Sequence, residues 1–220
     1  MSVVITIDGP AGAGKSTAAR MLAKRLGYLF LDTGALYRTV ALYLKEKNAI
    51  EADDKTIERL LQECEISYDG NNVFLNGRAV SSEIRTPEIS ELSSVTSTKK
   101  VVREFLTDLQ RKIASNRDVV AEGRDSGTVV FPQGKKFFLT ASIDERARRR
   151  WKELKDKGLE VSLEEIKKSI KTRDERDSSR DLAPLKPAED AIIIDTTGLN
   201  PLEVVEEILK KMEQQGVREQ

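Results

Sequence analysis

The chain contains no histidine and a single cysteine, Cys64. The first absence removes every mechanism built on an imidazole base or a histidine-ligated metal. The second rules out an intramolecular disulfide and a cysteine metal cluster, fits a reducing compartment, and leaves Cys64 the role of a small buried hydrophobe. Net charge is missing too: 37 Lys and Arg stand against 37 Asp and Glu. No overall basic field draws in a nucleic-acid polymer, so anion binding has to come from local clusters. No apolar run approaches the ~18 residues of a membrane span, and the first residues run straight into a strand, leaving no place for a signal peptide. The expectation is a cytoplasmic protein with neither membrane nor nucleic-acid partner.

What is present is 220 residues, 39% of them hydrophobic and 34% charged. That is enough for one packed α/β core with one or two insertions. The strongest local signal is Gly9-Pro10-Ala11-Gly12-Ala13-Gly14-Lys15-Ser16, which satisfies G-x-x-x-x-G-K-[ST] at each fixed position. Its glycines let the backbone turn amide groups inward around a phosphate chain. Lys15 adds positive charge for the β and γ phosphates, Ser16 offers a hydroxyl to Mg²⁺, and the helix opening there, through Thr17, aims its positive end at the same anion. The context agrees. Val3 to Ile7 reads as a buried strand, and Ala18, Met21, Leu22 and Leu26 recur at helical spacing until Gly27 stops them. Strand, loop and helix in that order predict an NTP phosphate site.

Farther along, Tyr28 to Leu31 reads as a second buried strand leading to Asp32-Thr33-Gly34, with helical spacing resuming at Leu36 and Arg38 on the first turn. On spacing alone, Arg38 is equally a solvated helix arginine. Asp69-Gly70 and Asn76-Gly77 between short apolar runs predict a small antiparallel sheet. Thr86-Pro87 predicts a helix start, and Val101, Val102, Phe105, Leu109 and Ile113 a longer helix, so residues 34–115 read as an insertion. Core strands resume at Asp118 to Glu122, followed by Gly123-Arg124-Asp125-Ser126-Gly127, and at Lys136 to Thr140. A helix opening at Asp144 carries Arg146, Arg148, Arg149 and Arg150, a run that reads as a solvated helix face, with a nucleic-acid patch disfavoured by the balanced charge and the lack of interleaved aromatics beyond Trp151. Ser162 and Glu165 form a capping-box signature for a helix running to Arg180, stopped by Pro184 and Pro187. Arg173, Arg176, Asp177 and Arg180 share one face of it, compatible with solvated pairs or with a phosphate-clasping, mobile lid carrying few apolar residues. Ala191 to Asp195 reads as the last buried strand, Val204, Val205, Ile208, Leu209 and Met212 as the inner face of a final helix, and the tail past Gln214 as frayed. The resulting division is a discontinuous core (1–33, 116–151 and 181–220), the insertion (34–115) and a lid (152–180).

No Asn-Lys-x-Asp guanine-reading stretch occurs, which sets GTPases aside, and an insertion plus an arginine-rich lid is how a small phosphotransferase closes over two ligands. Ile5 to Pro10, Leu31 to Arg38, Glu83-Ile84-Arg85-Thr86, Glu122 to Pro132 and Arg173 to Leu185 resemble the bacterial cytidylate kinases, nearly end to end. That resemblance implies MgATP-dependent phosphorylation of CMP or dCMP by a five-stranded parallel sheet flanked by helices, with a nucleoside-monophosphate-binding insertion and a lid, in a protein expected to be a monomer. It places ATP on Gly9 to Thr17, Mg²⁺ on Ser16, and cytosine on Ser94, Arg103 and Asp125. It places the acceptor phosphate on Arg38, Arg124 and Arg180, with Arg173 and Asp177 approaching the sugar beside Asp32 and Thr33, and the chemistry on Lys15, Arg38, Arg124, Arg173 and Arg180. Thr33 and Glu122 stand where the family more often has serine and aspartate. A carboxylate suits the cytosine N4 amino group and a hydroxyl with a guanidinium suits N3 and O2, whereas uracil would turn its O4 lone pairs on the carboxylate.

Overall fold

The computed structural model describes residues 2–214 apart from Lys157, so the tail past Gln214 lies outside the described residues. Five parallel strands form the central sheet: β1 (Val4–Asp8), β2 (Leu29–Asp32), β6 (Val119–Gly123), β7 (Lys135–Thr140) and β8 (Ile192–Asp195), in the order β2-β6-β1-β7-β8. The short β-branched runs suit strands covered on both faces, and pleating divides them. Val119 and Ala121 of β6 and Leu31 of β2 enter one core together with α2 (Thr33–Glu46) and α5 (Lys100–Ala114). Val120 and Phe30 enter the other with α1 (Lys15–Leu26) and α8 (Pro201–Gln214). The expected inner face of α8 is buried at all five positions, and Cys64 is buried among apolar side chains.

The segment after β2 packs partly on the sheet. α2 and α5 share the first core, α3 (Asp54–Gln62) packs on α5, and β3 (Ile66–Tyr68), β4 (Val73–Leu75) and β5 (Arg78–Ala79) form the small antiparallel sheet. Asn76 and Gly77 both have positive φ, the tight hairpin turn that the Asn-Gly pair announces. Thr86 caps α4 (Pro87–Thr96) by accepting from the Ile89 amide at 3.2 Å, with Pro87 in the first helical position. After β7, α6 (Ile143–Asp156) and α7 (Leu163–Ser178) form an antiparallel pair around their own small core of Ala147, Leu154, Ile166 and Ile170, with Trp151 against it. The capping box of Ser162 and Glu165 is present in both directions.

Four sequence readings change. α2 begins at Thr33 with Asp32 as its cap, so no loop intervenes and Arg38 sits in the second turn. α7 ends at Ser178, before Pro184 and Pro187, because the chain turns at Ser179. The helical pair carries its own apolar core where few anchoring residues were expected. β8 is the sheet edge, with Ile193 59% exposed, where the isoleucine run reads as a fully buried strand.

Candidate active site

The carboxyl ends of β1, β2 and β6 bring Asp8, Asp32 and Glu122-Gly123 to one edge of the sheet, where open α/β sheets hold ligands. The glycine loop leaves β1 at that edge. Gly9 has φ +145°, and a Cβ there would lie 2.0 Å from the Leu139 carbonyl oxygen, so the loop can pass β7 only without a side chain. Gly14, with φ +85°, caps α1 and leaves the first amides of the helix directed into the loop. Lys15 is buried, and its Nζ donates to the Pro10 carbonyl at 2.8 Å. Burial, with Arg124 and then Arg173 close by, pushes its pKa down to about 7, against the pull of Glu122 and Asp8.

Beside it, Ser16 Oγ donates to Glu122 Oε1 at 2.8 Å. Burial and the neighbouring Asp32 raise the Glu122 carboxyl above its ordinary range. Burial likewise pushes Asp8 up to about 6, although the Ser126 and Gly127 amides donate to it at 3.0 and 2.7 Å. Oxygen donors whose charge is costly to bury fit a hard divalent cation. Among the described residues no three acidic or cysteine side chains form a metal cluster. Thr33 Oγ1 donates to the Glu122 carbonyl at 2.7 Å, tying α2 to β6.

A cluster of guanidinium groups faces this edge. Arg124 Nε donates to Asp177 Oδ2 at 3.1 Å, Arg180 is bonded to Asp177 Oδ1, and Arg173 lies 3.9 Å from Oδ2. One carboxylate thus serves three arginines. Burial drives the Asp177 carboxyl upward, but the Arg124, Arg180 and Arg173 charges outweigh this and hold it below the ordinary range. Burial, reinforced by Arg124, brings Arg173 down to about 10. Arg38, on α2, lies 3.4 Å from Asp32. The buried Nε atoms of Arg38, Arg173 and Arg180 make no hydrogen bond among the described residues. The arrangement is short of negative charge, and a phosphate is the ligand that would supply it.

Next to this cluster, Arg103 and Asp125 form a buried ion pair, with side chains 7% and 9% exposed. Arg103 also donates to the Ser97 carbonyl at 3.0 Å, and its guanidinium stands 5.5 Å from the centre of the Tyr37 ring. Asp125 comes to this position because a single π-helical turn (Ser126–Val130) follows it, fastened to Asp8 through the two amides above. Ser94, on α4, is 4% exposed, and its Oγ accepts from Arg176 at 2.9 Å. A cleft of about 280 Å³, lined by Glu91, Arg173 and Arg176 among others, separates α4 from α7. Of the arginines that share a face of α7, only Arg176 turns from the Asp177 cluster toward α4.

Two residues of the arginine run that reads as a solvated face stand instead at the glycine loop. Arg146, 8% exposed, donates to the Ala11 carbonyl at 3.1 Å, to the Ala141 carbonyl at 3.0 Å and to Asp174 of α7. Arg149 donates to the Thr196 and Leu199 carbonyls at 2.6 and 3.2 Å, while Thr196 Oγ1 donates to the Ala13 carbonyl at 3.1 Å. Arg148 and Arg150 are bonded to Glu145 and Glu153 on their own helix. The three-residue interval between Arg146 and Arg149 was the available signal, since it places both on one helix face.

A family model described as cytidylate kinase matches residues 5–214. A cytidylate kinase from Thermosipho melanesiensis is 55% identical over 207 residues, 94% of each chain. One from Carboxydothermus hydrogenoformans is 52% identical, covering 94% of this chain and 95% of its own. A shikimate kinase from Acinetobacter baumannii, solved with shikimate, shares the fold at a TM-score of 0.50 and 17% identity, over 99% of this chain and 97% of that one.

Proposed function

Because the chain belongs to the cytidylate kinase family, we propose that it transfers the γ-phosphoryl group of ATP to CMP or dCMP, giving ADP and CDP or dCDP. The observation that carries this reading is the cation cluster around Asp177: three arginines share one carboxylate, beside a lysine whose own charge is suppressed. Such a cluster gains most from bound phosphate, and two nucleotides meeting end to end would bring several.

ATP would lie along Gly9 to Thr17, with the loop amides and Lys15 on its phosphates. Ser16 and Glu122 would hold Mg²⁺, which when bound would neutralise phosphate charge. Arg38, Arg124 and Arg180 would hold the acceptor phosphate, and Arg173 and Asp177, beside Asp32 and Thr33, would approach the sugar. An oxygen of that phosphate would attack the γ-phosphorus in line. A new P–O bond forms, the bond to the bridging oxygen breaks, and ADP leaves with the electron pair. No protein base is required, since a phosphate monoester with its second pKa near ~6 is mostly dianionic at pH 7. The side chains cancel repulsion between the two phosphate groups and align them, and in this chemistry most of the rate enhancement comes from those two effects. Closure of α6 and α7 over the cleft would keep water from accepting the phosphoryl group.

Base choice would rest on Ser94, Arg103 and Asp125. With the Asp125 side chain paired to Arg103, an amino group is welcome at its remaining oxygen lone pairs and a carbonyl is not. We read the enzyme as a cytoplasmic monomer in pyrimidine nucleotide metabolism. A coupled assay with CMP, dCMP, UMP, AMP and shikimate tests the reading. The cytidine nucleotides should exceed UMP by ~10² or more in kcat/KM. An equal or greater rate with UMP, AMP or shikimate would refute the assignment.

A further inference from the structure

Among the described residues, Arg176 is the one arginine of the α7 face whose side-chain hydrogen bonds cross to α4. Its Nη1 donates to Glu91 at 2.7 Å and to Ser94 Oγ at 2.9 Å, one hydrogen for each acceptor. The Glu91 pair lies at the surface, with that carboxylate 61% exposed, and such pairs stabilise little. The bond to Ser94 is different in kind, because that serine is 4% exposed and its hydroxyl has two ways of presenting itself. A hydroxyl carries one proton and two lone pairs, whereas a guanidinium can only donate. A lone pair of Ser94 is therefore committed to Arg176, and the serine proton turns away from it.

Ser94 is also tied to the buried ion pair. Ser97 Oγ donates to the Ser94 carbonyl at 2.9 Å, and the Ser97 carbonyl accepts from Arg103, the partner of Asp125. Resting on the functional reading above, we infer that Arg176 is a positioning residue for base selection: from the moving helix α7 it fixes the polarity of the Ser94 hydroxyl. Ser94 then meets the pyrimidine as a donor, which suits the N3 acceptor of cytosine and opposes the N3–H of uracil. Because Arg176 belongs to α7 and Ser94 to α4, the fixed polarity exists only when the two helices are together. Base discrimination is thereby tied to closure. Without Arg176 the hydroxyl would rotate freely and serve either base.

The test is steady-state kinetics with CMP and UMP for the unaltered enzyme, Arg176→Met, Arg176→Lys, Ser94→Ala and the double variant Ser94→Ala/Arg176→Met. Methionine keeps the apolar stem and removes the donors. For Arg176→Met, KM for CMP should rise about tenfold and the CMP-to-UMP ratio of kcat/KM should fall about tenfold, with kcat at saturating CMP lowered less than about threefold. Lysine, which still donates, should recover part of the ratio. In the Ser94→Ala background, Arg176→Met should change the ratio less than about twofold, because residues acting through one another are not additive. An unchanged ratio in the single variant, or an undiminished change without Ser94, would overturn the inference. Inactivity of the unaltered enzyme on CMP would instead remove the functional reading, and this inference with it. Should Arg176→Met not fold, the Arg176→Lys ratio measured with and without Ser94 decides between the same outcomes.

Discussion

Replacing Lys15 with methionine should lower kcat by ~10² or more, the range for losing one preorganised charge at a phosphoryl-transfer site, while making the ligand-free protein more stable at pH 7. The two effects share a cause. Lys15 is 5% exposed, and burial together with Arg124 and Arg173 brings its pKa to about 7 from the usual 10.5. Between those values the unfolded chain holds a proton that the folded chain has released. Stability of the unaltered protein therefore rises with pH across that window, and the full cost of the buried charge is felt below about pH 7. Lys15→Met has no such cost. Its advantage in thermal midpoint should be greatest at or below neutral pH and shrink toward pH 10. Bound phosphates would reverse the balance by supplying the negative charge that Lys15 lacks. A variant that is both less stable at pH 7 and fully active would contradict this account of the loop.

Asp125→Ala should reduce kcat/KM for CMP by ~10² to 10³ and leave KM for ATP within about threefold, because a polar group that reads a substrate amino group is hard to replace. The loss has two sources. The carboxylate would no longer accept from the cytosine amino group, and Arg103, with a side chain 7% exposed, would lose its buried counter-charge. The second source also threatens folding, so Asp125→Asn serves as the companion variant. It keeps the shape and offers an amide in place of the carboxylate. Its CMP-to-UMP preference should fall by ~10² even where the thermal midpoint is nearly restored, because the amide can donate to O4 of uracil. Equal losses at the ATP and CMP sites, or an undisturbed preference in Asp125→Asn, would make Asp125 structural.

The backbone of the glycine loop was legible because two of its glycines answer to local constraints: Gly9 to the passing β7 and Gly14 to the helix start. The inner face of α8 and the hairpin turn at Asn76-Gly77 were legible for a similar reason, since a local period or a turn type decides them. Other features depend on distant partners. The isoleucine run of β8 reads as buried, yet the order of crossovers put it at the sheet edge, a global outcome that four residues do not encode. Arg146 and Arg149 were lost in a charged helix whose buried apolar residues are few, so its inward face could not be told from its outward one. Arg176 lies one turn from Arg173 on α7, and only the position of α4 turns it toward Ser94. The core of the helical pair was missed because Ala147, Leu154, Ile166 and Ile170 are split between two helices, neither of which looks apolar alone.

A crystal structure with CMP and a non-hydrolysable ATP analogue addresses the central claim most directly. The account predicts the cytosine amino group within hydrogen-bond distance of Asp125, the opposite edge of the ring on Arg103 and Ser94, and the acceptor phosphate among Arg38, Arg124 and Arg180, facing the triphosphate on the glycine loop. A pyrimidine lying away from Asp125 and Arg103, or a CMP phosphate outside the arginine cluster, would contradict it.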